Sequence, residues 1–226
     1  MLALSPVATA NPILTDDFER AESGLAVEDL GPGWTTNSAR RAGGDKQASL
    51  VDGALAIETS PRADHGAVVF YKVDLDDLIL SLRFKFERGH RFAVNFSDSR
   101  LKTAHAGHVL GVNITPRSLT VEDHMNGKFD KAVYTRRKAG EKMTEADFAA
   151  FWRRTTADIA PDVWHDLEVT ISGDTITAVV DGEYSVTHAS PGFDHPTKSQ
   201  FSFVVPMKKR VVIDDVRVWS TSERSL

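Results

Sequence analysis

Two runs near the middle of the chain place a large apolar side chain at every second position, and this restricts the fold more than any other feature of the sequence. Leu78, Leu80, Leu82, Phe84 and Phe86 alternate with Ile79, Ser81, Arg83 and Lys85, while Phe92, Val94 and Phe96 alternate with Arg91, Ala93 and Asn95. A period of two is that of a β-strand with one face in a core. Arg88-Gly89-His90 lies between the runs. A hairpin there, with Phe86 opposite Phe92 and Phe84 opposite Val94, keeps both apolar sets on one face and leaves a three-residue loop containing glycine. The same register gathers Arg83, Lys85, Arg91 and Asn95 on the other, polar face.

Further strands read from 53–57, 67–73, 108–114 and 119–122, the last two flanking Pro116. Leu167, Val169 and Ile171 lead through Gly173-Asp174 into Ile176, Ala178 and Val180, and Asp181-Gly182 turns the chain again. Phe201, Phe203 and Val205 form a late strand, and 211–219 closes the series. Short strands with turn chemistry about every 8–12 residues argue an all-β, two-sheet antiparallel sandwich. One segment breaks the rule. Thr144-Glu-Ala-Asp147 is a capping box, with Phe148, Phe151 and Trp152 following at helical spacing, so a short inserted helix over 144–156 is expected, docked on the sandwich by its aromatics.

No internal repeat or linker divides 13–220, which reads as a single domain followed by a tail at 221–226. Residues 1–12 read as the residual end of a signal, or an unstructured terminus, because Ala8-Thr9-Ala10 fits the pattern before a signal-peptidase cut; a periplasmic or secreted location is the expectation. The absence of cysteine excludes disulfides, thiolate metal sites and a cysteine nucleophile. With 27 basic and 32 acidic residues intermixed, no basic stripe suggests nucleic acid. No apolar run approaches the roughly 20 residues of a membrane span.

Three stretches resemble a known superfamily. They are Asp16-Asp17-Phe18-Glu19 with Trp34 and Asp52-Gly53-x-Leu-x-Ile57; Trp164-His-x-Leu-x-Val-x-Ile-x-Gly173-Asp174 running on to Asp181-Gly182; and Ile213-Asp-Asp-Val-x-Val218. Together they look like the concanavalin A-like lectin/glucanase superfamily, and within it the bacterial 3-keto-disaccharide hydrolase domains. The resemblance implies a jelly-roll sandwich, an oligosaccharide or glycoside as ligand, and a site on a concave sheet face. Laminarinase-like relatives carry Glu-x-Asp-x-(x)-Glu on one strand, which brings two carboxylates to a common face for retaining chemistry. That run is absent; the adjacent Glu122 and Asp123 would point to opposite faces.

The unusual polar residues cluster in mid-chain: Asn95 and Asp98, then His105 and His108, then His124, with His65 as a further neighbour. Histidine can act as general base, ligand or donor to a sugar hydroxyl. His105 and His108 are expected to carry proton transfer, although on one straight strand they would face opposite ways, so the chain must bend near Gly107. His65, Arg83, Lys85, Arg91, Asn95, Asp98 and His124 are expected to line the substrate site, the cations facing a carboxylate or polarised carbonyl oxygen. Asp17 and Glu19 would meet Asp214 or Asp215 if the terminal strands pair, an oxygen set that suits calcium; a transition-metal site at His65, His105 and His108 has no supporting ligand spacing. A carbohydrate-active hydrolase or lyase for (keto-)glycosides and a non-catalytic carbohydrate-binding or adhesion module both satisfy these features. A structural domain for protein contacts is a third reading.

Overall fold

In a computed structural model, which describes residues 11–24 and 26–221, the alternating runs form strands in two antiparallel sheets, one of eight strands and one of seven. In chain order the strands are β1 (Leu14–Asp16), β2 (Trp34–Thr36), β3 (Ala48–Val51), β4 (Ala54–Glu58), β5 (Ala67–Leu75), β6 (Leu78–Lys85), β7 (Phe92–Ser97) and β8 (His108–Thr115). They continue as β9 (Ser118–Asp123), β10 (Trp152–Thr156), β11 (His165–Ser172), β12 (Thr175–Val180), β13 (Tyr184–Ala189), β14 (Lys198–Val205) and β15 (Arg210–Ser220). Sheet 1 runs β13-β12-β11-β6-β15-β4-β3, with β1 also pairing β15; sheet 2 runs β10-β9-β8-β7-β14-β5-β2. This is the two-sheet jelly-roll sandwich that the sequence implied.

The local turns fall where the sequence places them. Asp52-Gly53 joins β3 to β4 with Val51 paired to Ala54. Both turn residues have positive φ, 52° and 71°, as a two-residue type I′ connection requires. Gly173-Asp174 joins β11 to β12, and the terminal strands pair, Leu14 with Val218.

The expected hairpin around Gly89 does not form. β6 lies in sheet 1 between β11 and β15, whereas β7 lies in sheet 2 between β8 and β14. Phe84, Phe86, Phe92 and Val94 do share the core, but they meet across it from opposite sheets. The Phe84 ring is 5.0 Å from Phe92, 5.5 Å from Phe86 and 5.4 Å from His165. Alternation reports only that a strand has one inward face. A hairpin and a crossing between sheets satisfy it equally, and a crossing sends the two polar faces to opposite outer surfaces.

The inserted helix is corrected in part. The Thr144 backbone N–H and hydroxyl both donate to the Asp147 carboxylate, at 2.6 and 2.9 Å. However, only Glu145–Phe151 is helical, as a 3₁₀ turn, and Trp152–Thr156 pairs with β9 as an edge strand. The backbone groups offered by the free edge of β9 outweigh continued helix there. A helix at Lys131–Lys138 was not expected; the Asp130 carboxylate caps it by accepting the Val133 N–H at 3.0 Å. Among the described residues no helix is long and apolar enough to cross a membrane.

Phe84 is fully buried and touches aromatic rings of both sheets. Phe84→Ala is expected to cost about 3–5 kcal/mol of unfolding free energy, measured by denaturant titration with an unchanged m-value.

Candidate functional site

Register alone lays out a polar row across the outer face of sheet 2. Ser202 on β14, Asn95 on β7, Gly111 on β8, Glu122 on β9 and Trp152 on β10 are successive Cα partners. Two residues away on each strand, and so on the same face, lie Ala93, Asn113, Thr120 and Arg154. These rows floor a groove of about 350 Å³.

Gly111 shapes its centre. A β-carbon there would lie 2.6 Å from Asn95 Oδ1 and still closer to His124 Cε1. The missing side chain leaves the space into which the His124 ring folds as the chain leaves β9. The His124 backbone N–H donates to the Val109 carbonyl at 3.0 Å, which sets that turn. The ring is almost fully buried, and its Nε2 lies 3.1 Å from Glu122 Oε2, the same oxygen that accepts from the Lys128 ammonium. Phe129 packs its ring 4.8 Å from His124 and 4.3 Å from His108, and the two imidazoles are 5.8 Å apart.

The charges follow from these contacts. Burial opposes ionisation of Glu122, but the His124 hydrogen bond and the Lys128 charge overcome it and hold the carboxyl down at about 2. Burial lowers His124 despite its bond to Glu122, so the ring is neutral at pH 7. Burial, reinforced by His124, His105, Lys128 and His65, pushes His108 down to about 3. A neutral His124 that donates Nε2–H to Glu122 keeps a lone pair on Nδ1. The Nδ1 atoms of both His124 and His108 are buried without a hydrogen-bond partner.

The structure brings some predicted residues together and separates others. Arg91, Asn95 and His124 line the groove, and His108 lies behind Phe129. His105 is at the edge, its ring 3.6 Å from Tyr134 and nearly parallel to it, and its N–H donates to the Phe129 carbonyl at 2.7 Å. The bend that frees it from the strand is a 3₁₀ turn, His105–Gly107. His65 is exposed, with Nδ1 3.0 Å from the Gly66 carbonyl. Asp98 is buried beside the groove's far strand, engaged by His195 and Arg100 at 3.1 and 3.0 Å. Arg83 and Lys85 are on the outer face of sheet 1, each 4.9 Å from the Trp164 ring, and cannot join Asn95.

Arg83 lies 3.9 Å from Asp214 and 3.5 Å from Asp215, supplying the positive charge there. Burial raises the Asp214 carboxyl, Asp17 contributing a little repulsion, and Glu19 lies against Gly53. Among the described residues no three His, Asp or Glu side chains group as ligands for a metal ion. Lys128, Arg154, Asn113, Thr120 and Phe129 carry no signal in the sequence pattern, and Glu122 enters there only as one of two adjacent carboxylates on opposite faces. The one available signal was Gly111, an isolated glycine inside a strand, which marks a close approach.

Residues 28–209, which contain the whole groove, match the family model described as the 3-keto-alpha-glucoside-1,2-lyase-like domain. The chain belongs to this family. No curated protein matches it at a significant level. The chain is similar in fold to a laminarinase from Flavobacterium sp. UMI-01, at 13% identity over 93% of this chain and 100% of that one, with a TM-score of 0.59. It is also similar to a protein of unknown function with a galectin-like fold from Bacillus subtilis (9% identity, 92% and 96% of the two chains, TM-score 0.58) and to a carbohydrate binding module of Bacillus subtilis (12%, 83% and 96%, TM-score 0.52). At these identities the likeness is one of fold.

Two outcomes are expected. Gly111→Ala should displace His124 and destabilise by about 1–3 kcal/mol, as overpacking does, measured by thermal or chemical denaturation. Stability should also fall on acidification. His108 and Glu122 have folded-state values below their unfolded ones, so the unfolded chain binds more protons and stability is lost from about pH 6.5 down to about 3 for His108, and from about 4.5 down to about 2 for Glu122. Each group contributes a slope of at most about 1.4 kcal/mol per pH unit in its window. His108→Phe is expected to flatten the loss between pH 6.5 and 4 in a series of melts.

Proposed function

We propose that the groove on the outer face of sheet 2 binds a 3-keto-glycoside and cleaves it by removing the proton next to the keto group. The observation that carries this reading is the His124–Glu122–Lys128 cluster on the groove floor: a neutral buried imidazole, oriented by an ionised carboxylate, beside an ammonium. A keto group acidifies the neighbouring C–H, and the imidazole accepts that proton while Lys128 and Asn95 face the developing enolate oxygen. We assign the base to His124, with His108 behind it, rather than to His105, whose ring lies flat on Tyr134. Both Nδ1 atoms lie below the surface, so the Lys128-Phe129 turn must yield as substrate enters. With one outward carboxylate in the groove, retaining chemistry by a pair of carboxylates is not supported.

A second reading is a non-catalytic carbohydrate-binding module, favoured by the fold shared with the Bacillus module. We place either activity in the periplasm or the medium, where the Ala8-Thr9-Ala10 pattern would direct the chain.

Incubation with methyl 3-keto-glucoside in D₂O tests the choice. Elimination releases methanol and an unsaturated keto sugar, whereas hydrolysis gives the keto sugar itself; both are distinguished by NMR. His124→Gln is expected to lower kcat by about 10²–10⁴-fold. If the parent protein binds the glycoside and neither turns it over nor exchanges the proton, the binding-module reading replaces catalysis.

A further inference from the structure

The groove continues past Lys128 into a second hollow of about 190 Å³, walled by Phe148, Phe151 and Trp152. It shares Glu122, Lys128 and Arg154 with the groove, so one ligand can lie across both. Phe148 and Phe151 come from the 3₁₀ turn, and Trp152 is the first residue of β10, directly opposite Glu122. None of the three rings is buried, despite their apolar area.

We propose that this hollow receives an aromatic aglycone, making the substrate class phenol glycosides rather than alkyl glycosides or disaccharides. The proposal rests on the groove being the glycoside site argued above. Rings from two elements wall the hollow, which suits a planar aromatic group; a cavity of ~150 Å³ already takes a benzene ring. A second sugar would need free polar partners for its hydroxyls. Most of the polar groups here are engaged: Asp123 by Ser190, Gly192 and Asn126, Glu122 by His124 and Lys128, and Arg154 by Thr120 and the Trp152 face, while Glu145 is exposed, 4.0 Å from Arg154.

The chemistry of departure points the same way. The base takes the proton from the carbon beside the keto group, and the electron pair forms the enolate. The enolate then restores the carbonyl and forms a carbon–carbon double bond to the anomeric carbon. The bond from that carbon to the aglycone oxygen breaks, and its pair leaves on the oxygen. Glu122 is held ionised and has no proton to give. A phenol, with a pKa near ~10, leaves as an anion far more readily than an alcohol does. Lys128 and Arg154 flank the junction where that anion forms, and Arg137 sits 6.0 Å from the Phe148 ring.

The test compares phenyl and methyl 3-keto-glucosides and a 3-keto disaccharide as substrates of the full chain, with phenyl and methyl glucosides as unreactive ligands. The expected result is a kcat/KM at least about tenfold higher for the phenyl compound, with the phenyl-to-methyl ratio collapsing in Phe148→Ala and in Trp152→Ala. Equal values for phenyl and methyl, or a preference for the disaccharide, would overturn the proposal. If no keto-glycoside is turned over, the catalytic reading fails by itself and binding decides this one. About tenfold tighter binding of phenyl than of methyl glucoside, lost in Phe148→Ala, upholds it, and equal or absent binding overturns it.

Discussion

The packing of two sheets against one shared layer of apolar side chains, tied by the crossing from β6 to β7, is what the remaining architecture depends on. Phe84 and Phe92 meet across that layer with ring centres 5.0 Å apart. Because each sheet spends one face on this contact, most polar side chains of its strands emerge on the far side. Sheet 1 therefore presents Arg83, Lys85 and Trp164 in one direction, and sheet 2 presents Asn95, Glu122 and Arg154 in the other. The Asp16 carboxylate, which accepts the Trp34 indole N–H at 2.7 Å, adds a polar tie between β1 of sheet 1 and β2 of sheet 2.

The ionic cluster of the groove depends on burial opposing charge. Desolvation alone would favour a neutral carboxyl at Glu122 and a neutral imidazole at His124. The His124 hydrogen bond and Lys128 together reverse the first, while burial prevails in the second, so a carboxylate stands beside an imidazole with an unused lone pair. Gly111 makes this juxtaposition sterically feasible. In a sheet whose other outward positions carry side chains, one absence admits a buried ring next to the strand backbone.

Strand positions and turns were legible because they are encoded locally. Asp52-Gly53 dictates a turn whatever surrounds it, and alternation from Leu78 to Phe86 dictates an edge-on core face. Which strand pairs with which was not legible from Phe84 and Phe92, since pairing is decided by contacts with β11, β14 and β15, far away in the chain. The site was half legible for the same reason. Asn95, Arg91 and His124 line the groove, and the jelly-roll resemblance implied a site on a concave sheet face. Arg83 was included only through the mistaken hairpin. Arg154 was hidden because β10 resembled the end of a helix, and Lys128 because it sits in a loop with no periodicity to place it.

Glu122 and Asp123 are neighbours in sequence with opposite duties. Glu122 faces the groove, while Asp123 turns away and fixes the 190–192 loop through Ser190 at 2.6 Å and the Gly192 N–H at 3.1 Å. One strand thus interleaves a groove-facing carboxylate with an anchoring one, residue by residue. Such a strand cannot gain or lose a single residue without exchanging the two carboxylates' roles and forfeiting both. Over evolutionary time the lining of this groove is free to change by substitution, and through the loops beyond β9, while the register of β9 itself is held fixed by parity.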